Sequence, residues 1–349
     1  MNGNFHIAGR LAGRGHVPFV IAELSGNHNG DIKRAFAIMQ AARDAGADAV
    51  KLQTYTADTM TIDHDSDEFR IHGGLWDGRH LYDLYQQAHT PWEWHGALFD
   101  KACELGIIAF STPFDESAVD FLEKLGAPAY KIASFEIVDT RLIRHAAKTG
   151  KPLILSTGMA TEEEIGEAVA VAQDAGAGGI ALLHCVSGYP TPAEEANLSR
   201  IPALAAKYQC PIGLSDHTLG SDVAIASVAL GATIIEKHVT LMRADGGLDS
   251  AFSVEPSELA TLVKGVRIAH VSVGSPDYGL AASERSSVRL RRSLYAVEEI
   301  AAGDVITERN VRSIRPGYGL APKHLPKILG RRVRRAIRRG TPLSFDIIE

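Results

Sequence analysis

Two stretches decide how the rest of this chain is read: Gly213-Leu-Ser-Asp-His-Thr218 and, after a short apolar helical segment, Ile234-Ile-Glu-Lys-His-Val-Thr240. Each puts a histidine just beyond a short apolar run. His217 follows Cys210-Pro-Ile-Gly-Leu214 and His238 follows Ala232-Thr-Ile-Ile-Glu236. If these runs are adjacent parallel strands, both imidazoles emerge on one rim, where two histidines can hold one metal ion. An isolated histidine among the 14 in the chain is ordinarily a surface or a satisfied core residue. Here the context differs, because each follows a buried strand and sits among Ser, Asp, Glu and Lys where the chain leaves the core.

Working outward, the same strand-then-helix rhythm runs through most of the sequence. Apolar runs predict strands at Phe19-Glu23, Ala49-Gln53, Ile107-Ser111, Ala129-Ile132, Leu153-Ser156, Ile180-His184, Ile212-Ser215 and Thr233-Glu236. Between them, segments such as Ile32-Ala45, Ser117-Leu125, Thr140-Lys148, Glu162-Ala175 and Val223-Leu230 carry apolar residues at helical spacing. Several end in Ala-Gly or Leu-Gly stops, at Gly46, Gly126, Gly176 and Gly231. A strand-helix unit repeated eight times predicts an α/β fold, the (β/α)8 TIM barrel, whose chemistry collects at the C-terminal ends of the strands.

An insertion from Asp63 to His95 breaks the rhythm, with Trp76, Tyr82, Tyr85, Trp92 and Trp94. These aromatics either pack a helix on the barrel or line a pocket above the rim. After a last barrel helix that starts at Pro256 and runs to about Ser272, a polar stretch follows. From Arg291 short alternating strands and turns take over, which predicts a small β-rich module. The expected organisation is a barrel domain over 1–275, a linker over 276–290 and the module over 291–349.

Composition bounds the function classes. With 349 residues, 45% of them hydrophobic, the chain can bury a large core. No apolar run reaches the ~20 residues of a membrane span, and Met-Asn-Gly-Asn-Phe-His lacks the charged start and apolar stretch of a signal peptide. A cytoplasmic protein with no membrane contact is therefore expected. The net charge of -6 argues against a nucleic-acid partner. That total hides an asymmetry: from Leu280 onward 15 Lys and Arg face 7 Asp and Glu, a net +8 that leaves -14 for the rest. Cys103, Cys185 and Cys210 lie far apart without CxxC spacing and are expected to be buried thiols.

Every predicted strand end presents polar groups. Round the barrel these are Glu23, with Asn27-His-Asn-Gly30 after it; Lys51 and Gln53; Ser111-Thr112; Lys131, Ser134 and Glu136; Ser156-Thr-Gly158; His184 and Ser187; Ser215 and His217; and Glu236, Lys237 and His238. Any one serine here could simply cap the following helix. Together, two lysines and several hydroxyls describe a pocket for phosphate or carboxylate, the lysines supplying charge and the hydroxyls directed donors. Beside a two-histidine metal site, that pocket fits metal-assisted carbon-carbon bond formation with a phosphorylated small acid, and equally a metal-dependent hydrolysis.

The ordered motifs Ile21-Ala-Glu23, Asn27-His-Asn-Gly30, Lys51-Leu-Gln53, Ser111-Thr-Pro-Phe114, Tyr130-Lys-Ile-Ala-Ser-Phe-Glu136, Leu155-Ser-Thr-Gly-Met159, His184-Cys185, Tyr189-Pro-Thr-Pro192, Gly213 to Thr218, Glu236 to Thr240 and Gly247-Leu-Asp-Ser250 closely resemble the sialic acid synthase family. The basic tail resembles that family's antifreeze-like (SAF) domain. The resemblance implies a transferase that condenses phosphoenolpyruvate with an aldehyde amino sugar, giving a nine-carbon 2-keto acid and phosphate. It implies that Lys51, Thr112, Lys131, Ser134, Ser156 and Ser215 hold phosphoenolpyruvate, and that His217 and His238 bind Mn2+ or Mg2+. It further implies that Glu23, Gln53, Tyr189 and Asp249 face the sugar or the metal, and that Glu136 positions a water. Arg315, in Arg-Pro-Gly-Tyr-Gly319, looks like the family arginine that reaches from the SAF domain of one subunit into the partner's barrel. A domain-swapped homodimer is implied, with which the +8 tail and the -14 barrel are compatible.

Within the family, Glu23-Leu-Ser-Gly-Asn-His-Asn29, Lys131 to Glu136 and the Trp76-Asp-Gly-Arg79, Leu81 to Tyr85, Thr90 to Trp94 insertion look like the pseudaminic acid synthases. Ser187 stands where the N-acetylneuraminate pattern has asparagine. A 6-deoxy, 2,4-diacetamido sugar would suit a more apolar, aromatic-walled pocket; N-acetylneuraminate and legionaminate synthesis are the alternatives.

Overall fold

The computed structural model describes residues 5–349. Residues 1–4, which open the expected barrel domain and on which the signal-peptide reading partly rests, lie outside the described residues. The chain divides into two compact units, 1–274 and 275–349.

The first unit begins with an antiparallel hairpin of β1 (Phe5–Ile7) and β2 (Arg10–Ala12). Eight parallel strands follow: β3 (Phe19–Glu23), β4 (Ala49–Thr54), β5 (Ile108–Pro113), β6 (Tyr130–Ile132), β7 (Pro152–Ser156), β8 (Gly179–Cys185), β9 (Ile212–Asp216) and β10 (Ile234–His238). They close into a barrel, β10 pairing with β3 through Phe19 opposite Ile234. All eight predicted strands form. The Gly stops work as expected: Gly46, Gly126, Gly176 and Gly231 all have positive φ at or next to a helix end, where a side chain would be strained.

Period-two alternation sorts the strand residues into two layers. Phe19, Ile21, Ala49, Phe110, Ala129, Ile154, Ala181, Leu183 and Ile234 face the axis and form one cluster with Phe5, Ile7 and Ala12 of the hairpin. The hairpin therefore plugs the N-terminal end of the barrel. Gly179 lets it seat, since a Cβ there would lie 3.1 Å from the Phe5 ring. Their outward neighbours, among them Val20, Val50, Leu52, Leu153, Leu155, Leu182, Leu214 and Ile235, pack against helix residues such as Ile38, Leu98, Leu122, Leu142 and Leu262. Each fully buried Leu, Ile or Phe contributes about 1.5–3 kcal/mol. The inward positions at the C-terminal ends of the strands are thus left free for polar residues. The last barrel helix, Pro256–Val273, starts with Pro256 in its first turn and a Glu255/Glu258 capping box.

In the second unit, β11 (Ser293–Ala296) pairs with β12 (Val311–Ile314), extended by isolated bridges such as Ile300 with Ile337 and Val333 with Ile348. Leu294, Ile300, Ile306, Val311, Ile328, Val333 and Leu343 give it a core of its own. Part of the stretch read as a polar linker is ordered as an exposed 3-10 segment over Ala282–Leu290. Among the described residues no helix is long and apolar enough to cross a membrane. One expectation is corrected: of the three free cysteines only Cys185 is buried, while Cys103 lies exposed on the helix His95–Leu105 and Cys210 is half-buried. Spacing shows that cysteines are unpaired but not which face of a helix they occupy.

Candidate active site

The inward row that is apolar below turns polar one step higher. Glu23 lies two residues beyond Ile21, Lys51 beyond Ala49, Thr112 beyond Phe110, Lys131 beyond Ala129 and Ser156 beyond Ile154. Cys185 likewise follows Leu183, Ser215 follows Gly213, and Glu236 follows Ile234. Parity thus aims all eight into the mouth of the barrel. Glu23, Lys51, Lys131 and Glu236 are all at most 4% exposed. Lys51 Nζ lies 2.6 Å from Glu23 Oε2, 3.6 Å from Glu236 Oε1, and donates to Thr112 Oγ1 at 2.9 Å. Lys131 Nζ lies 3.8 Å from Glu236 Oε2 and donates to Ser156 Oγ at 2.6 Å. Ser215 Oγ donates to Glu236 Oε1 at 3.4 Å.

Two carboxylates against two ammoniums in one dry space separate in their proton affinity. Burial pushes the Glu23 carboxyl up to about 7, against the Lys51 ammonium beside it. Burial also acts to raise Glu236, but Lys131 and Lys51 outweigh it and hold it below the usual carboxylate range. Burial pulls Lys131 down, with Glu236 opposing. Glu236 is therefore the fixed negative charge between the lysines.

His217 and His238 emerge side by side, as adjacent parallel strands require, with ring centroids 5.3 Å apart. His217 Nδ1 is 3.0 Å from the Val186 carbonyl, to which it donates, so that in the neutral ring Nε2 carries the lone pair. Burial acts to lower this imidazole, but Cys185, the Val186 carbonyl and Glu236 outweigh it and raise the group above its ordinary value. His238 Nδ1 has no hydrogen-bond partner among the described residues, and Asp249 Oδ2 stands 3.8 Å away. Burial, then His217, holds His238 well below its ordinary value and so in the neutral, ligating form. Among the described residues no three His, Cys, Asp or Glu side chains form a ready metal cage. The pair with Asp249 suits a hard divalent ion that keeps waters or substrate oxygens as its remaining ligands.

Above this floor stands an aromatic wall. Tyr189 lies 4.5 Å from His217, 5.3 Å from Phe252 and 5.6 Å from Trp76, centroid to centroid. The Trp76 indole donates to the Leu248 carbonyl at 3.0 Å, next to Asp249. Trp92 does the other job, stacking on Phe121 at 4.7 Å and donating to Tyr55 O at 3.1 Å. Trp92 thus packs the insertion on the barrel, while Trp76 meets the histidine rim through Tyr189. On the far side, Gly158 N donates to Ser134 Oγ at 3.1 Å, and a Cβ at Gly158 would lie 2.4 Å from Ser187 Oγ and 2.7 Å from Ser134 Oγ. Only glycine lets the two serines converge. Glu136 Oε2 lacks a hydrogen-bond partner among the described residues, and burial raises its carboxyl to about 7. Gln53, next to last in β4, lies on the Lys51 face, half-buried.

Some rim residues of the sequence reading turn away. His184 has outward parity, its Nε2 2.7 Å from Ala196 O. Ser111 faces the helices and meets Thr54 Oγ1 at 2.6 Å, which in turn meets His95 Nε2 at 2.8 Å. Arg315 belongs to the second unit, exposed just beyond β12. Two buried groups to which the sequence reading gives no role also lie here: Glu236, read only as a polar strand end, and Cys185, whose Sγ is 3.9 Å from His217 Nδ1. Strand parity carries the signal for both.

The model of the NeuB family matches residues 38–278, and that of the SAF domain matches 291–349. The chain is 42% identical to a pseudaminic acid synthase of Campylobacter jejuni, over 93% of this chain and 95% of that protein. It is 36% identical to the N,N'-diacetyllegionaminic acid synthase of Legionella pneumophila, over 95% and 94%. A solved N-acetylneuraminic acid synthetase from Leptospira borgpetersenii, in complex with citrate, superposes with a TM-score of 0.74 at 34% identity, covering 82% of this chain and 95% of that one. A barrel whose mouth gathers lysines, carboxylates and histidines, followed by a SAF domain, defines an enzyme of the nonulosonic acid synthase class. The chain belongs to the NeuB family.

Proposed function

We propose that this enzyme is a pseudaminic acid synthase, condensing phosphoenolpyruvate with 2,4-diacetamido-2,4,6-trideoxy-L-altrose and water to give pseudaminic acid and phosphate. The observation that carries the chemistry is the buried seat of Lys51 and Lys131 beside His217 and His238. The choice of sugar is supported by the 42% identity to the Campylobacter enzyme against 36% to the legionaminate one, and by the Trp76-Tyr189 wall.

In this reading Lys51 and Lys131, with Thr112, Ser134, Ser156 and Ser215, hold the carboxylate and phosphate of phosphoenolpyruvate and cancel their charge in a dry site. C3 of phosphoenolpyruvate forms the new bond to the sugar aldehyde carbon, and the aldehyde oxygen takes a proton. Glu136, with its free Oε2 and its carboxyl near neutrality, orients the water that adds at C2 and takes its proton. The tetrahedral carbon then expels phosphate by C-O cleavage, leaving the 2-keto acid. His217 and His238 would hold Mn2+ or Mg2+, whose chemistry when bound is to polarise the aldehyde oxygen. Glu23, Gln53, Ser187, Tyr189 and Asp249 orient the sugar, and Trp76 excludes water beside it. Arg315 reaches the N-acyl group from a second subunit in a swapped homodimer. Exposed Phe135, Val138, Met159 and Leu219, on the loops that follow the barrel strands, give such a partner an apolar landing. The reaction would take place in the cytoplasm.

The test is phosphate release by chelator-stripped enzyme with Mn2+ added back, comparing the diacetamido-trideoxy-altrose with N-acetylmannosamine. Turnover with the first sugar alone, dependent on Mn2+, is expected. Turnover with N-acetylmannosamine would overturn the sugar assignment, and absence of phosphate release with either would overturn the reaction.

A further inference from the structure

Behind the two histidines, on the outward face of the same two strands, lies an ion pair that the chemistry above does not use. Asp216 immediately precedes His217 and Lys237 immediately precedes His238, and the two are direct partners in the β9-β10 register. Lys237 Nζ is 2.7 Å from Asp216 Oδ2, with side chains 0% and 2% exposed. Asp216 Oδ1 accepts from Thr218 N at 3.0 Å and from Thr218 Oγ1 at 2.8 Å, while Lys237 also donates to the Thr218 carbonyl. Thr191 N donates to the His217 carbonyl at 3.0 Å, tying in the neighbouring loop. The chain around His217 is thus held from β9, from β10 and from the loop after β8.

A buried ion pair is a poor source of stability, since apolar residues of similar volume commonly do as well. The other outward positions of these strands, Ile212, Leu214 and Ile235, are apolar and pack in the barrel-helix layer. A charged pair at one level only, directly behind the two imidazoles, calls for another account. Strand pairing is close here as well: a Cβ on Gly213 would lie 2.2 Å from the Ile234 carbonyl oxygen, so only glycine lets β9 and β10 approach this closely.

We propose that Asp216 and Lys237 are positioning residues that brace the turn after β9 against β10 and so set the distance and angle between His217 and His238 for a divalent cation. The brace rests on the reading of the histidine pair as a metal site, and acts through the imidazoles without touching substrate. Its removal loosens His217 more than His238, because His217 stands on the turn that Thr218 anchors.

The experiment compares wild type with Asp216→Asn and with the double variant Asp216→Asn/Lys237→Met, in the full-length enzyme, using Mn2+ alone as probe and the electron paramagnetic resonance of free Mn2+ as readout. Asp216→Asn strands the Lys237 ammonium and should lower both Tm and Mn2+ affinity. The double variant removes both charges, so Tm should return to within a few degrees of wild type while Mn2+ binding stays at least ~10-fold weaker. A double variant that binds Mn2+ within ~2-fold of wild type would overturn the proposal and leave the pair a structural feature only. Metal-free 15N-histidine spectra, assigned with His217→Gln and His238→Gln, give an independent readout. The brace requires His217 signals that broaden or double in the double variant, and a single sharp wild-type-like set would overturn it. Wild type that binds no Mn2+ would instead overturn the metal reading of the site, with the spectra alone then deciding the brace.

Discussion

The lower and upper halves of the barrel interior are made by the same eight strands, at positions two residues apart, yet they obey opposite rules. Below, Phe19, Ile21, Phe110, Ile154 and Leu183 fill the space with the hairpin residues Phe5 and Ile7 and leave no polar atom to satisfy. Above, four buried charges and a pair of imidazoles are packed into the continuation of that column. Taking these charges out of water costs several kcal/mol, which their pairing only about offsets, so the upper half adds little to stability and rests on the lower half. The division of labour predicts that the two halves fail differently when altered.

The largest effect is expected from Lys131→Ala. Removing one ammonium from the anion seat should cut phosphate release by ~10³-fold or more, because the developing charge loses a preorganised partner. Circular dichroism should show a fold close to wild type, with Glu236 still facing Lys51. Phe110→Ala is the opposite case. A fully buried ring is lost from the lower layer, and unfolding should become easier by about 3–5 kcal/mol while kcat of the folded fraction stays within about twofold. If Phe110→Ala abolished turnover at unchanged stability, the division between the halves would be wrong.

Acid should act on the upper half through Glu136. Its carboxyl, pushed up to about 7 by burial, is protonated below that pH and cannot then take a proton from water. Turnover should fall ~10-fold per pH unit below about 7. Glu136→Gln should lower the plateau by ~10²-fold and remove that acidic limb from the kcat profile. An unchanged limb would assign it to another group. The smallest effect sharpens the rule of parity. Ser111 and Thr112 are neighbours on β5 that face opposite layers. Ser111→Ala should cost about 1 kcal/mol of stability and no turnover, whereas Thr112→Val should raise the KM for phosphoenolpyruvate ~10-fold at unchanged Tm.

Much of this was legible in the chain. All eight barrel strands could be read because each is a short β-rich run beside helical spacing, several of them after a glycine stop, and the two histidines could be paired because their strands are consecutive. Other features depend on packing, which a local pattern does not report. The plug strands Phe5–Ile7 and Arg10–Ala12 are too short to show a period. That Trp76 packs on Tyr189 while Trp92 packs on Phe121 follows from where the insertion folds back, which no local pattern reports. Glu236 was read as a polar strand end, but its place between the two lysines, and the inward aim of Cys185, need a two-residue count from Ile234 and Leu183 once the lower layer is known to face inward.

The closure of the barrel also has a consequence for synthesis on the ribosome. β3 finds its second neighbour only in β10, with Phe19 opposite Ile234, and Phe5 seats beneath Gly179. The first residues to emerge must therefore wait for more than 200 others before their partner strand exists. Because Glu236 and His238 sit on that closing strand, the carboxylate between the two lysines and the histidine pair come into being in the same event that seals the cylinder. A nascent or truncated chain ending before residue 234 lacks Glu236 and His238, so Lys51 and Lys131 have no carboxylate between them and His217 has no second imidazole beside it.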